Sequence, residues 1–266
     1  MKKSISRGMH RLNLLLNRQI FKATIDKLSP NIFCCEKKLF GNKGDGGYVL
    51  PVRFLDPDKY VVLSFGVNDD ISFEEAVLAS KPGMGIYCFD PTVPGLPHEN
   101  RDIRFYPIGL AGKTNRNRKL LELKDAMKYA GLDPAVHQVL KIDIEGWEWS
   151  FLKTFDPAAY NADVLAIEFH FNLFKDWQTF LVFPYVFRRR YKLLSQLLNH
   201  YYIFHVHANN LSYTRVGEYM FPNLLEMTLI KKNVFEERIL EDVKKYNTPN
   251  IPGSADHQYP FRAHGS

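Results

Sequence analysis

Seven short apolar runs, separated by longer stretches, constrain the fold of this chain more than any other feature. Apolar runs of four to six residues are typical of buried strands. They lie at residues 60–65, 85–89, 103–106, 139–142, 164–169, 201–206 and 225–230. Stretches long enough for crossover helices separate several of them, at residues 73–80, 120–130, 147–155 and 186–198. This order predicts an α/β fold with a Rossmann-like, doubly wound, seven-stranded sheet.

The net charge is concentrated in an N-terminal arm. Residues 1–27 contain seven Lys or Arg and one Asp, whereas the rest of the chain contains 28 basic and 28 acidic side chains. Apolar residues recur in the arm at helical spacings of three and four: Ile5, Met9, Leu12, Leu16 and Ile20. Such a basic amphipathic helix either packs on its own domain or contacts an anionic membrane or a partner, and the sequence leaves both open.

Composition predicts three parts and excludes several classes of protein. We expect a basic helical arm at residues 1–38, one α/β domain at residues 39–246 and an irregular tail at residues 247–266. No apolar run is long enough to span a membrane, and three cysteines, two of them adjacent, fit a reducing compartment. We therefore expect a cytoplasmic protein whose arm offers a route to a membrane surface. Nucleic acid is not an expected partner, because the body is neutral and contains no recognisable nucleic-acid module.

The octet Lys-Ile-Asp-Ile-Glu-Gly-Trp-Glu at residues 141–148 follows the apolar pair Val139 and Leu140, which indicate a buried strand, and places three carboxylates around a glycine. In open α/β folds, ligands bind outside the carboxyl ends of the strands, so these acids lie where a site is expected. The alternative is an acidic turn that opens a helix, in which Glu145 and Glu148 complement the helix dipole.

A glycine-rich segment precedes the seven runs. Residues 41–47 contain four glycines together with Asp45, and such a density of glycine indicates positive φ angles or close approach of the backbone. The segment is either a structural turn that leads into a strand at residues 48–50 or a loop that covers a ligand. In the second case Asp45 and Gly46 are its candidate contacts.

The first two strands end in residues suited to a ligand. The first strand ends in Phe65 and Gly66 with Asp70 shortly after, a turn in which the backbone can approach a ligand closely. It lacks the three glycines of a dinucleotide-binding loop, which counts strongly against a nicotinamide cofactor. Asp90 stands at the tip of the second strand, where such folds hold a ribose by its hydroxyls.

Taken together, these segments resemble the FkbM-type and related methyltransferase-like families, which use S-adenosylmethionine. The octet at residues 141–148 is similar to their signature, and residues 44–51, 64–73 and 89–92 are similar to further blocks in the same order. The resemblance covers roughly residues 40–232. It implies a class I methyltransferase sheet that is mostly parallel, with the last strand antiparallel.

The resemblance also implies where the cofactor lies. It places Gly66 against S-adenosylmethionine, Asp90 on its ribose, and the turn with Gly109 and Leu110 near the adenine. S-adenosylmethionine carries a sulfonium and no phosphate, which fits the absence of a phosphate-binding glycine loop. Asp143 would lie near the methyl group as a metal ligand or proton acceptor.

Acidic and imidazole side chains follow three of the strands. They are Asp143 after the fourth, Glu168 and His170 at the fifth, and His205 and His207 on the sixth. All but His205 are candidate ligands of a divalent cation such as Mg²⁺ or Mn²⁺, which would lower the pKa of a bound hydroxyl. Alternatively His170 or His207 acts as a general base oriented by Asp143, or these groups are satisfied locally at the strand ends.

The sequence thus predicts an S-adenosylmethionine-dependent O-methyltransferase that acts on a hydroxyl of a sugar in a glycan or glycolipid, with metal assistance left open. Asp143, His170 and His207 are its candidate catalytic residues, and Trp177 is the candidate platform for a sugar ring. The alternative function is a non-catalytic methyltransferase-like module that attaches to a membrane or partner through the basic arm.

Overall fold

The computed structural model describes residues 22–24, 26–28, 36–43, 46–171, 177–208, 213–216 and 219–239. The strands are β1 (Lys37–Phe40), β2 (Tyr48–Pro51), β3 (Tyr60–Phe65), β4 (Gly85–Phe89), β5 (Ile103–Tyr106), β6 (Gly109–Leu110), β7 (Leu120–Leu121), β8 (His137–Ile142), β9 (Ala162–His170), β10 (Tyr201–Ala208), β11 (Tyr213–Val216), β12 (Tyr219–Pro222) and β13 (Leu224–Lys231). The helices are α1 (Ser72–Ser80), α2 (Leu123–Tyr129), α3 (Glu148–Leu152), α4 (Trp177–His200) and α5 (Lys232–Ile239). The predicted tail and residues 1–21 of the predicted arm lie outside the described residues.

Seven strands form one sheet in the order β10-β13-β9-β8-β3-β4-β5. The five strands from β9 to β5 pair in parallel, whereas β13 pairs antiparallel with both β10 and β9. This arrangement confirms the predicted doubly wound sheet with an antiparallel last strand. Each of the seven predicted runs lies within an observed strand, because strands buried on both faces are apolar throughout.

Two layers cover the sheet and bury its two faces. One face packs against α2, α3 and α4, with Phe151 and Leu194 in the core. The other packs against α1, α5 and the antiparallel hairpin β1–β2, with Phe73 and Leu50 in the core. The hairpin matters for function because it lies over the carboxyl-end half of the second face, where Thr228 Oγ1 on β13 donates to the Val49 carbonyl at 2.6 Å.

The described end of the N-terminal arm packs on the domain. Thr24 and Leu28 are buried, and Leu28 belongs to the same core cluster as α4. Lys27 Nζ lies 3.2 Å from Ser195 Oγ and sits over the Tyr191 ring, both on α4. Residues 22–24 and 26–28, the described part of the arm before position 36, therefore belong to the folded body. Across the described part of the chain, no helix combines the length and apolarity needed to cross a membrane.

Candidate functional site

Three ionisable side chains converge at the carboxyl ends of β8 and β9. Asp143 directly follows β8, while Glu168 and His170 are at the end of β9 and are almost fully buried. One potential ligand atom from each lies within 4.8 Å of the other two. Because Glu168 and His170 are two positions apart on a strand, both side chains project from the same face of the sheet.

The antiparallel strand β13 adds a third carboxylate to this face. Glu226 is 7% exposed and pairs in register with Glu168 on one side and with His207 on the other. Side chains directly opposite each other in a ladder lie about 5 Å apart at their Cβ atoms. His207 thus lies two strands from Glu168, and among the described residues the close group of ligand atoms comprises Asp143, Glu168 and His170 without it.

Tyr48 closes the site from the hairpin. It is 3% exposed, and its hydroxyl donates to Asp143 Oδ2 at 3.3 Å. Burial, followed by the negative charges of Asp143, Glu168 and Glu226, raises the pKa of Tyr48 well above its usual range. Tyr48 is therefore a neutral hydrogen-bond donor toward a group of carboxylates. Their combined charge makes this pocket suited to a cation.

His170 is surrounded by carboxylates. Nε2 lies 3.4 Å from Glu145 Oε2 and 3.6 Å from Glu168 Oε2, and Nδ1 lies 3.5 Å from Glu148 Oε1. Burial by itself would lower the pKa of His170, but Glu148, Glu168 and Asp143 raise it to about 9. With these neighbours the imidazole is protonated at neutral pH, and a protonated imidazole cannot accept a proton from a substrate. A doubly protonated ring also cannot ligate a cation, so either predicted role of His170 requires the ring to lose one proton.

The second half of the octet holds the end of β9 in place. Glu148 is fully buried, and its two carboxylate oxygens accept hydrogen bonds from the backbone N–H groups of Gly146 and His170, at 2.8 and 2.7 Å. Trp149 Nε1 donates to the His170 carbonyl at 2.9 Å. Glu145 and Gly146 have φ angles of 53° and 97°, so the turn between β8 and α3 is tight and exposes Glu145 beside His170.

The turn after β3 approaches the cluster from the next strand. Gly66 has a φ of 80°, and a methyl group built on it would overlap the carbonyl oxygen of Asp143. Its N–H donates to the Phe89 carbonyl at 2.9 Å, and its own carbonyl accepts from Lys141 Nζ at 2.8 Å. Lys141 is 4% exposed, so the ammonium group that holds the Gly66 carbonyl is buried. Glycine is required at position 66 because a side chain there would collide with the backbone of Asp143.

Asp90 lies at the end of β4 beside that turn, as the sequence predicts. It is 4% exposed, with Oδ2 accepting from Asn68 N at 2.9 Å and Oδ1 accepting from Thr92 N at 2.7 Å and Thr92 Oγ1 at 2.5 Å. An ionised carboxylate offers about four acceptor positions, so these three bonds leave capacity for a ligand hydroxyl. Asn68 has a φ of 45° and turns its N–H toward this carboxylate.

Asp70 joins the glycine-rich segment to α1. Its Oδ1 accepts from Ser72 N at 2.7 Å and its Oδ2 from Asn42 Nδ2 at 3.0 Å. A methyl group built on Gly46 would lie 2.7 Å from Asp70 Oδ2, so the segment packs closely on this carboxylate. This close packing on Asp70 explains structurally why position 46 is a glycine. Asp45 lies outside the described residues, and its predicted contact with a cofactor stays a prediction.

The predicted adenine turn packs beside the Asp90 loop. Gly109 and Leu110 form β6, and a methyl group on Gly109 would lie 2.8 Å from Pro91 Cγ. Phe65, the last residue of β3, stacks on Phe89 with ring centroids 4.6 Å apart. Gly66, Asp90 and Gly109 therefore surround one side of the rim, and the Asp143 cluster lies on the other.

Four residues that build the site were not predicted as catalytic, cofactor-binding or metal residues, although Glu148 is one of the three carboxylates of the octet. Tyr48 and Glu226 reach it only through the packing of the hairpin and the register of β13, which no local pattern encodes. Glu148 and Lys141 belong to the octet, whose position after a buried strand was the available signal. Trp177, the predicted sugar platform, begins α4, but its side chain lies outside the described ones.

The comparisons agree with this geometry. A sequence model of the Methyltransf_22 family, whose description is methyltransferase domain, matches residues 17–209, which is more than half of the chain. No curated protein matches the chain at the sequence level. The family match confirms the methyltransferase class, while the FkbM type within that class stays a prediction. The chain therefore belongs to the Methyltransf_22 family of methyltransferase domains.

Proposed function

We propose that this methyltransferase uses S-adenosylmethionine to methylate a hydroxyl of a sugar within a glycan or glycolipid. One observation carries the proposal: the cluster of Asp143, Glu168 and His170 opens at the same rim as Gly66 and Asp90. A methyl donor held at Gly66 and Asp90 would thus lie beside groups able to bind and activate a hydroxyl.

The residues around Gly66 suit this cofactor. Asp90 retains acceptor capacity for a ribose hydroxyl, and Gly109 and Leu110 lie next to its loop. The carboxylates beyond Asp143 provide a negative environment for a sulfonium. Once bound, S-adenosylmethionine supplies an electrophilic methyl group. The acceptor oxygen would form the new C–O bond as the C–S bond breaks, giving a methyl ether and S-adenosylhomocysteine, and the hydroxyl proton would pass to solvent.

We further propose that Asp143, Glu168 and His170 hold a divalent cation, Mn²⁺ or Mg²⁺. Such an ion lowers the pKa of a bound hydroxyl, which neutral protein side chains do poorly. The convergence of three ligand atoms within 4.8 Å of one another supports this role, and binding an ion there would require the His170 ring to release a proton. His207 remains a candidate for the outer part of this site, next to Glu226 in the ladder.

A sugar acceptor is supported by the loop that carries Glu145. Trp147 in this loop is 45% exposed, which is unusual for a tryptophan, and an exposed indole face packs well on a sugar ring. Two adjacent sugar hydroxyls would also match a divalent cation held by carboxylates. The acceptor is thus proposed to be a carbohydrate and not a nucleic acid.

The first test is calorimetric titration of the protein with S-adenosylhomocysteine, with and without Mn²⁺, followed by His170→Ala. We expect binding in both conditions, and His170→Ala should keep cofactor affinity while losing methyl transfer to a glycan acceptor by at least about 100-fold. Asp90→Ala is the complementary variant and should lose cofactor binding. Unchanged turnover in His170→Ala would remove His170 and its proposed ion from the mechanism.

A second candidate function is a non-catalytic module that attaches to a membrane or a partner through the arm. The concentration of positive charge in residues 1–27 favours it. If Asp90→Ala abolished cofactor binding and left the cellular role of the protein intact, this candidate would replace the first. A cytoplasmic location with peripheral membrane contact is compatible with both proposals.

A further inference from the structure

Glu148 occupies an unusual position for a buried carboxylate. It is fully buried at the start of α3, and it spans the gap between the octet turn and the end of β9. Oε2 accepts from Gly146 N at 2.8 Å, and Oε1 accepts from His170 N at 2.7 Å. The same Oε1 lies 3.5 Å from His170 Nδ1. A single side chain therefore contacts both the backbone and the ring of His170.

The surroundings leave His170 little freedom. Trp149 Nε1 donates to the His170 carbonyl at 2.9 Å, and the Arg190 guanidinium donates to the Phe171 carbonyl. Arg190 also lies over the Trp149 ring, 5.3 Å from its centroid. Backbone groups on both sides of His170 are thus bound by side chains from α3 and α4. This degree of restraint is expected where a side chain must be held in one orientation.

Held in this way, the two ring nitrogens of His170 lie in different environments. Nδ1 faces Glu148, whereas Nε2 faces Glu168 and Glu145 on the side of the Asp143 cluster. Histidines that bind a metal commonly donate the other ring N–H to a carboxylate, which fixes the tautomer and makes the free nitrogen a better ligand. Here Nδ1 makes no hydrogen bond in the described structure, and Glu148 Oε1, 3.5 Å away, is the carboxylate oxygen placed to accept its proton, while Nε2 faces the cluster.

We propose that Glu148 is a positioning residue that holds the Nδ1 proton of His170, so that Nε2 becomes a ligand of a divalent cation shared with Asp143 and Glu168. The inference rests on the ion site of the proposed function. It adds to that proposal the role of Glu148 in preparing His170 Nε2 as a metal ligand, and a preference for one kind of divalent cation. The imidazole favours a first-row transition-metal ion over Mg²⁺ or Ca²⁺, and Mn²⁺, which also binds carboxylates, is the ion of this kind that matches the two acids.

The test compares Glu148→Gln with a matched control. Glutamine keeps the shape of the side chain, but its NH₂ group would face either the Gly146 N–H or the His170 N–H and Nδ1. Glu74→Gln changes an equally buried carboxylate, which is bonded to Ser64 and touches neither His170 nor Glu148. Mn²⁺ affinity is measured by electron paramagnetic resonance and S-adenosylhomocysteine affinity by calorimetry.

We expect Glu148→Gln to lose roughly 10- to 100-fold in Mn²⁺ affinity, the usual cost of removing an outer carboxylate. Its cofactor affinity should be unchanged, and Glu74→Gln should bind Mn²⁺ like the wild type. Equal Mn²⁺ affinity in the two folded variants, or no Mn²⁺ binding by the wild type, would overturn the role of Glu148. If the wild type did not bind S-adenosylhomocysteine, that result would instead contradict the proposed function.

A second measurement needs no variant. The ¹⁵N resonances of the His170 ring are followed in the wild-type protein as diamagnetic Zn²⁺ is added. Nε2 should change from a protonated to a metal-bound nitrogen, while Nδ1 keeps its proton. A metal-bound Nδ1, or a ring that does not respond to Zn²⁺, would refute the assignment even if Glu148→Gln failed to fold.

Discussion

Gly66 shows how the site depends on single backbone positions. Its φ of 80° already disfavours a side chain, and a methyl group would also overlap the Asp143 carbonyl oxygen. We expect Gly66→Ala to reduce the free energy of unfolding by upward of about 3 kcal/mol, because strain and steric overlap add. The change should be measured by urea denaturation, together with S-adenosylhomocysteine affinity.

Gly83 provides the matched control for this prediction. Its φ is 87°, but a methyl group built there meets nothing within 4 Å. Gly83→Ala should therefore cost only the conformational part, about 1–2 kcal/mol. If the two variants were equally destabilised, close packing against Asp143 would not be the reason for glycine at position 66.

Asp70 makes a pH-dependent contribution to stability. Burial would raise its pKa, but hydrogen bonds from Ser72 and Asn42 and the charge of Lys141 lower it. A carboxylate with a lowered pKa stabilises the folded state above its unfolded pKa of about 3.9, and this contribution is lost as the pH falls through the lower folded value.

Asp70→Ala tests this contribution directly. At pH 7 the variant should be less stable than the wild type by about 1–3 kcal/mol, the usual effect of losing a hydrogen-bonded charge. The difference should shrink as the pH falls from about 4 toward 2. Urea denaturation at several pH values provides the measurement, and a difference that stays constant over this range would contradict the assignment.

At the scale of elements, the end of the arm behaves as part of the fold. Leu28 is 1% exposed and belongs to the core cluster shared with α4. Leu28→Ala should destabilise the protein by about 2–5 kcal/mol, as expected for truncation of a buried leucine. Leu198→Ala on α4, where the side chain is only partly buried, should cost less. Equal and small effects would mean that the arm packs loosely on the domain.

Elements differ in how well the sequence predicts them. The seven sheet strands are predictable because most of their residues are buried and apolar, although Arg104 in β5 is exposed. Helix bounds are less predictable: the stretch at 147–155 contains only the short α3, and the stretch at 186–198 belongs to the longer α4. Strand β1 was not predicted, since its four residues include two lysines and depend on pairing with β2.

At the scale of the whole molecule, charge separates an arm from a neutral body. Residues 1–20 contain five Lys or Arg and no acidic residue, and each basic residue near an anionic membrane contributes on the order of 1 kcal/mol. Removal of residues 1–20 should abolish sedimentation with phosphatidylserine vesicles at low salt. It should leave S-adenosylhomocysteine affinity intact, since the residues proposed to contact the cofactor lie between positions 45 and 143. Vesicle binding that survived the truncation would locate the membrane contact on the body.

The sequence by itself determined the class of fold, the positions of the seven sheet strands along the chain and the strand ends at which a site is predicted. These features are local or nearly so: buried strands leave apolar runs, and acids or glycines follow them directly. For this reason the sequence could predict Asp143, His170, Gly66 and Asp90 as candidate site residues.

Only the tertiary structure decided which side chains meet. Glu226 joins Glu168 because β13 inserts antiparallel beside β9, and Tyr48 reaches Asp143 because the hairpin packs over the sheet. The same packing left His207 outside the close group of Asp143, Glu168 and His170. Register and packing are set by contacts between residues that are far apart in the chain, such as Tyr48 and Asp143 at a separation of 95 positions, and no local pattern records them.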